Sequence, residues 1–332
     1  MRAVMVSQPG SVNLEKVPDP IPSGDEVIVK VLGCGICGTD VHIVHEGLPT
    51  VRFPLIPGHE PYGQIVDLGS AETTLRVGDH VAIDPSLHCG VCPRCQQGRG
   101  NLCVQWGAIG ATKCGAWAEY VAVPRRNIHS LAEDFPLDCA AIIEPVACAL
   151  RGIVQLKPQL DKPALIFGAG TMGMLLALLL DIQGVGPLTV VEINEKRREM
   201  ARQFLPAKVI RPDELSDLQA EHVIDATGDP GAIEAALQHV APGGTMLLFG
   251  VSSPDTRVKL SPFEIYEREI TVIGSKAILN TFTLAIETVG RHATVFRPLI
   301  SRPGLPLEQF ADALALLKSG SAVKVFIQPN AQ

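Results

Sequence analysis

Ala164-Leu165-Ile166-Phe167-Gly168-Ala169-Gly170-Thr171-Met172-Gly173 is the stretch on which the fold turns. Four apolar residues run into a G-x-G-x-x-G, and a long apolar segment follows. A glycine triplet of this spacing says little alone, but between a strand and a helix it marks a dinucleotide-binding turn. The first glycine allows the tight turn, the second lets a pyrophosphate approach the backbone, and the third lets helix meet strand. Free N–H groups and the helix dipole then favour the phosphate charge. Gly168, Gly170, Thr171, Met172 and Gly173 are therefore candidate cofactor-binding residues. The pattern calls for an acidic residue about 20 positions on, at the tip of the second strand. Glu192, closing Val190-Val191-Glu192, fills that place. Its carboxylate accepts from ribose hydroxyls and repels a 2′-phosphate, which favours NAD over NADP. Arg197 and Arg198 keep NADP open, because a guanidinium accommodates that phosphate. The plainer reading makes both arginines solvated charges on the next helix, and for Arg198 it is preferred.

Working outward, strand-like runs at 164–167, 188–193, 222–225, 245–249 and 270–273 alternate with helical stretches. These helices start after Gly173 and cover 195–204 and 231–240. Such alternation predicts a parallel, doubly wound sheet. The earlier part of the chain reads differently. Short runs at 26–32, 63–68, 80–83 and 117–123 are broken by Pro18, Pro20, Pro22, Gly24, Pro54, Pro57, Gly58 and Gly78, the rhythm of a β-barrel or sandwich. Beyond residue 277 a helix over 306–319 precedes a strand over 323–327. The class is α/β, with a dinucleotide-binding domain at 146–276 inserted into a β-rich domain formed by 1–145 and completed by 277–332.

The chain has 332 residues, enough for two domains. Hydrophobic residues at 46% supply cores, and a net charge of −7 disfavours nucleic acid, whose phosphates require a basic face. The N-terminus is too short an apolar run for a signal peptide, and Met172 to Leu180 is too short for a membrane span. A cytoplasmic address follows by default. Nine cysteines there serve as thiols or metal ligands rather than disulfides.

Cys89, Cys92, Cys95 and Cys103 form a C-x2-C-x2-C-x7-C array. Four thiolates close the shell of a tetrahedral Zn²⁺, which makes the site structural. An iron–sulfur cluster uses similar ligands, but its usual spacings are missing. A second constellation is dispersed: Gly35-Ile36-Cys37-Gly38-Thr39-Asp40-Val41-His42, then Gly58-His59-Glu60, then Glu144-Pro145. Together these supply a thiolate, an imidazole and a carboxylate, the donors of a catalytic zinc with one open position.

These motifs, in this order and over essentially the whole chain, resemble the zinc-dependent medium-chain dehydrogenases, closest to their polyol (sorbitol-type) branch. The resemblance implies a GroES-like β-rich catalytic domain beside a Rossmann domain. It implies Cys37 and His59 as zinc ligands and Glu144 at the position where the polyol branch has a glutamate. Whether Glu144 binds directly or through water stays open, and Cys148 is its rival for that place. Glu60 matches a glutamate that can approach the metal or exchange onto it, and Asp40 orients His59 from behind. Cys34, Cys114, Cys139 and Cys148 otherwise read as small packing residues. In the implied mechanism the zinc polarises an alcohol, the nicotinamide takes the hydride, Thr39 relays the proton and His42 passes it to solvent. Arg197 matches a position flanking the adenosine, and Ala226-Thr227, Gly250-Val251 and Ser275 match strand ends lining the cofactor cleft. Tyr62 and Trp106 fall where pocket residues could lie. Ser261-Pro262-Phe263-Glu264 resembles a stretch common in polyol and sugar-acid dehydrogenases. A homodimer or homotetramer acting on a small-molecule polyol, without nucleic acid or membrane, is the implied setting.

Three rivals remain. One keeps the chemistry and changes the substrate to a sugar acid or a threonine-like amino alcohol. Another is a zinc-bearing nucleic-acid module, which would crowd basic residues around the cysteine loop where only Arg94 and Arg99 stand. The third is a nucleotide-binding relative without catalysis, against which Cys37, His59, Glu60 and Glu144 all count.

Overall fold

A computed structural model describes residues 1–48, 50–70, 74–301 and 303–330. The chain divides into two compact units, Met1–Ala147 with Ile278–Gln332, and Cys148–Ala277.

The second unit is built on a parallel sheet. Its strands lie in the spatial order Lys208–Ile210, Leu188–Val191, Ala164–Phe167, Ala220–Asp225, Val240–Leu248, Thr271–Gly274. The first strand in sequence is thus central, the arrangement in which a ligand crevice opens beyond the strands' carboxyl ends. Ala164–Phe167 and Leu188–Val191 are buried throughout, as expected of strands covered on both faces. The helix Thr171–Ile182 is buried from Gly173 to Leu180. It begins two residues before Gly173, earlier than the apolar pattern suggested, so the third glycine lies inside its first turn. The helix Glu195–Phe204 buries only Arg198 and Ala201. Side-chain caps start the helices on this unit: Asn194 accepts from the Arg197 N–H, and Asp229 from the Ala232 N–H, each satisfying an otherwise orphaned donor. Ser261 does the same for Glu264, with Pro262 as the first helical residue. Ser261-Pro262-Phe263-Glu264 is therefore a helix start.

The first unit is an antiparallel sheet in the order Phe326–Ile327, Glu26–Gly35, Glu60–Asp67, His80–Ile83, Ile128–Ser130, with Tyr120–Pro124 also paired to Glu26–Gly35. The expected strand at 117–123 enters this sheet only from Tyr120. Its first residues pair elsewhere, through an Ala3–Ala118 bridge and the Val4 N–H donating to the Trp117 carbonyl at 2.8 Å. The core gathers Val29, Val31, Ile65, Ile83, Trp117 and Val123, all fully buried. The hairpin Arg2–Gln8/Ser11–Lys16 and the helices Gly38–His45 and Phe282–Arg291 were not anticipated. Among the described residues no helix is long and apolar enough to cross a membrane.

Candidate metal centres and cofactor cleft

In the cysteine loop the four sulfurs of Cys89, Cys92, Cys95 and Cys103 converge. Cys89–Cys95 and Cys92–Cys103 are 3.9 Å apart, and Cys103–Cys89 is 3.5 Å. A tetrahedron with Zn–S bonds of about 2.3 Å has edges of about 3.8 Å, so the spacing fits one zinc ion. Backbone N–H groups of Cys92, Cys89 and Gln105 donate to these sulfurs at 3.3–3.4 Å. Such donors favour thiolates: with the Cys95 and Val104 N–H groups first among the causes, Cys92 is brought down to about 6. Desolvation and the neighbouring sulfurs push Cys95 up to about 12. Crowded sulfurs of this kind are relieved by a divalent cation.

The second group comes from two segments. Cys37 ends the run from strand Glu26–Gly35 and caps the helix Gly38–His45, while His59 and Glu60 stand at the start of strand Glu60–Asp67. One donor atom from each of Cys37, His59 and Glu60 lies within 4.8 Å of the others. Asp40, fully buried, holds the segments together. Its carboxylate accepts from the Cys37 N–H at 2.9 Å and the Gly58 N–H at 3.3 Å, and sits 3.2 Å from His59 Nδ1. That leaves Nε2 as the ring nitrogen for a metal. Gly58, at φ +95°, is required twice, because a Cβ there would overlap the Trp117 ring. Burial alone would drive the proton off His59. Asp40 and Cys37 overcome it and raise the imidazole well above its ordinary value. A buried site whose neighbours Asp40 and Cys37 favour positive charge on the imidazole against burial is suited to a cation, so these donors fit zinc.

The other expected residues are placed as follows. Thr39 Oγ1 is 3.8 Å from Cys37 Sγ. His42 is exposed, with Nδ1 3.1 Å from Glu46 Oε2. Glu144 is half-buried in the first turn of helix Ile143–Leu156, outside the group of three donors, as is Cys148 one turn later. Tyr62 lines a cavity of about 760 Å³ with Leu32, Leu137, Gly304 and Phe326, a lining that contains none of the three donors. The Trp106 backbone N–H donates to the Cys103 carbonyl at 3.1 Å, so the residue follows directly on the cysteine loop. Cys34 and Cys139 are buried as packing residues, but Cys114 is exposed.

Lys324 was missed. Its ammonium donates to both Glu60 oxygens, at 2.7 and 2.5 Å, and to the Ile36 carbonyl at 3.1 Å. Burial works against its charge, yet Glu60, with Cys37 and Glu144 nearby, holds the pKa above its ordinary value. The available signal was a lysine inside the apolar run Val323-Lys324-Val325-Phe326-Ile327.

In the other unit, Gly168 has φ +100° and donates its N–H to the Val191 carbonyl. A Cβ on Gly173 would overlap the Gly168 carbonyl oxygen, whereas one on Gly170 would meet open space. Among the described residues nothing excludes a side chain at Gly170, which fits a phosphate approaching there. Glu192 is 5% exposed and accepts from the Ala169 and Asn194 N–H groups, both at 2.8 Å. A cavity of about 640 Å³ is lined by Gly168, Gly170, Glu192, Arg197 and Thr227 among others. Arg198 is not solvated as expected: it is buried and donates to the Glu192 and Ile193 carbonyls. Thr171 and Met172 open the helix half-buried. Val251 is 90% exposed, and the Ser275 N–H donates to the Leu248 carbonyl. Asp225, which sequence reasoning also missed, accepts from Thr227 and Gly228 and fixes the turn that brings Thr227 into the cavity lining.

Comparison with known proteins places these features in a family. Residues 23–133 match the alcohol dehydrogenase GroES-like domain, and 171–293 the zinc-binding dehydrogenase domain. D-altritol 5-dehydrogenase of Agrobacterium fabrum is 35% identical over 93% of this chain and 94% of its own. D-arabinitol dehydrogenase 1 of Uromyces fabae is 31% identical over 99% and 97%. The crystal structure of a zinc-binding dehydrogenase from Sinorhizobium meliloti bound to NADP superposes with a TM-score of 0.92 at 29% identity, covering 99% of both chains.

Proposed function

The chain belongs to the zinc-dependent medium-chain dehydrogenases, and we propose that it moves a hydride from a secondary alcohol of a sugar alcohol to NAD, giving a ketose. The observation that carries the reading is the convergence of Cys37, His59 and Glu60 within 4.8 Å, with Asp40 behind the imidazole. Likeness to the altritol and arabinitol enzymes supports the polyol as substrate class.

When bound, zinc supplies Lewis acidity toward the substrate hydroxyl, and the nicotinamide supplies the hydride acceptor. Cys37 and His59 hold the metal, Asp40 fixes the imidazole, and Glu60 and Glu144 are the carboxylates available to complete its shell. The hydroxyl proton leaves through Thr39 and reaches solvent at His42, whose Glu46 partner orients the ring. Glu192 takes the adenosine ribose hydroxyls and disfavours a 2′-phosphate; Arg197, in the same cavity, flanks the adenosine. Gly168, Gly170, Thr171, Met172 and Gly173 hold the pyrophosphate, with Val251 and Ser275 completing the cofactor site. The β-rich domain spans 1–145 and 277–332 and the Rossmann domain 146–276. Free cysteines and thiolate clusters suit the reducing cytoplasm, and the assembly is a homodimer or homotetramer.

The test is a panel of sugar alcohols, sugar acids and L-threonine with NAD and with NADP, followed by absorbance of the reduced cofactor before and after chelation. Chelator-sensitive turnover of polyols with NAD is the expected result, with about two zinc ions per chain. Turnover confined to a sugar acid or threonine would move the substrate class, and none at all would favour the non-catalytic relative.

A further inference from the structure

Lys324 is 1% exposed, and its backbone is pinned on both sides. Its N–H donates to the Leu299 carbonyl at 3.0 Å, its carbonyl accepts from Ser301 at 2.8 Å, and the Val325 carbonyl accepts from Ile36 at 2.9 Å. A side chain leaving so fixed a backbone has little choice of target, and here the target is both oxygens of Glu60. On the other side Gly35 makes room for that carboxylate, since a Cβ there would overlap Glu60 Oε2. Glu60 is thus clamped between an ammonium and a bare backbone, while one of its oxygens stays within 4.8 Å of the Cys37 and His59 donors. A buried ion pair is often no more stable than well-packed apolar side chains, so stability alone does not account for it. Its placement offers another account. A metal and an ammonium compete for one carboxylate, and only one of them can have both oxygens.

We propose that Lys324 is a positioning residue that holds Glu60 in reserve beside the zinc, so that Glu60 does not become a standing ligand and a coordination place stays open for the alcohol. The idea rests on the zinc reading above. A neutral residue at 324 leaves Glu60 buried without its cation, and the metal becomes its best partner. Zinc then leaves more slowly.

The experiment compares wild type with Lys324→Met, Lys324→Arg, Glu60→Gln and the Glu60→Gln/Lys324→Met pair, which removes both charges and orphans neither. Zinc release to a chromogenic chelator is followed, and the visible spectrum is recorded after cobalt replaces zinc. Lys324→Met should slow release from one of the two sites about tenfold, the lower end of effects seen for residues behind metal ligands, and should change the cobalt bands. Lys324→Arg should restore both. In the Glu60→Gln background the same Met substitution should change neither, because the effect runs through Glu60. Equal slowing in both backgrounds would reduce Lys324 to a distant repulsive charge and overturn the proposal. Unchanged release and bands in a two-zinc Lys324→Met protein would overturn it as well. A wild-type protein with a single zinc, held by the cysteine loop, would instead overturn the zinc reading and this proposal with it.

Discussion

Asp40 shows how much one buried side chain can organise. Its two oxygens reach the Cys37 backbone, the Gly58 backbone and the His59 ring, so it aligns two donors from distant segments. Asp40→Ala should weaken zinc at this site about 10–100-fold and leave the cysteine-loop zinc in place, as metal competition with a graded chelator would show. His222 makes a different prediction. Burial pulls its pKa below the ordinary value, and its Nε2 accepts the Gln159 N–H at 3.0 Å, which requires the neutral ring. The unfolded chain therefore binds a proton at a pH where the folded chain resists it. This contribution is fully present above about 6.5 and is lost as pH falls through the lower folded value. His222→Gln should flatten the decline of denaturant midpoint below pH 6.5; an unchanged slope would remove His222 as its source. Legibility at this scale follows the same physics. Cys37, His59 and Glu60 were readable because their residue types are chemically scarce and sit in compact motifs. Lys324 was not, because its role depends on a contact 264 residues away in sequence. Glu144, expected at the metal directly or through water, stands half-buried in the first turn of the helix Ile143–Leu156 and stays a candidate carboxylate beside the group of three.

The glycine turn separates two kinds of constraint within one element. Gly173→Ala would force a methyl onto the Gly168 carbonyl, opening the junction of strand Ala164–Phe167 with helix Thr171–Ile182. It should cost about 1–3 kcal/mol of stability, as overpacking does, and lose dinucleotide binding with it. Gly170→Ala meets only open space and has φ −73°, which alanine accepts. Stability should therefore hold while affinity for the dinucleotide falls at least tenfold. Melting curves and fluorescence titration on both variants would decide; equal binding by Gly170→Ala would mean that no ligand approaches that glycine. The strand at Ala164–Phe167 and the helix at Glu195–Phe204 matched expectation in full, because an apolar run into glycines and an N-capping Asn are local signals. The terminal hairpin and the helix Gly38–His45 went unread. The hairpin's Ser11–Lys16 strand has no fully buried residue, and the helix buries only Asp40, Ile43 and Val44, so neither shows a sustained apolar period.

Across the molecule the two kinds of ligand fall into different units. Both candidate metal groups, residues 37–60 and 89–103, belong to Met1–Ala147 with Ile278–Gln332, and the cavity beside the glycine turn to Cys148–Ala277. Each unit also has its own core, around Trp117 and Val29 in the first and around Leu165 and Val223 in the second. A ligand stabilises the state that binds it, by about 2.7 kcal/mol at a hundredfold excess over its dissociation constant. Amide protection should therefore change by segment. Chelation should speed exchange in 37–67 and 80–130, where the ligand-bearing segments are joined to the antiparallel sheet, and leave the strands Ala164–Phe167 and Ala220–Asp225 near their starting rates. NAD should do the reverse, slowing exchange around 168–175 and 225–232, where the backbone N–H groups of Ala169, Thr227 and Gly228 are held by Glu192 and Asp225. Loss of protection throughout the parallel sheet on chelation would mean that the metals support the whole chain, and the assignment of each ligand's stabilising effect to one unit would fail.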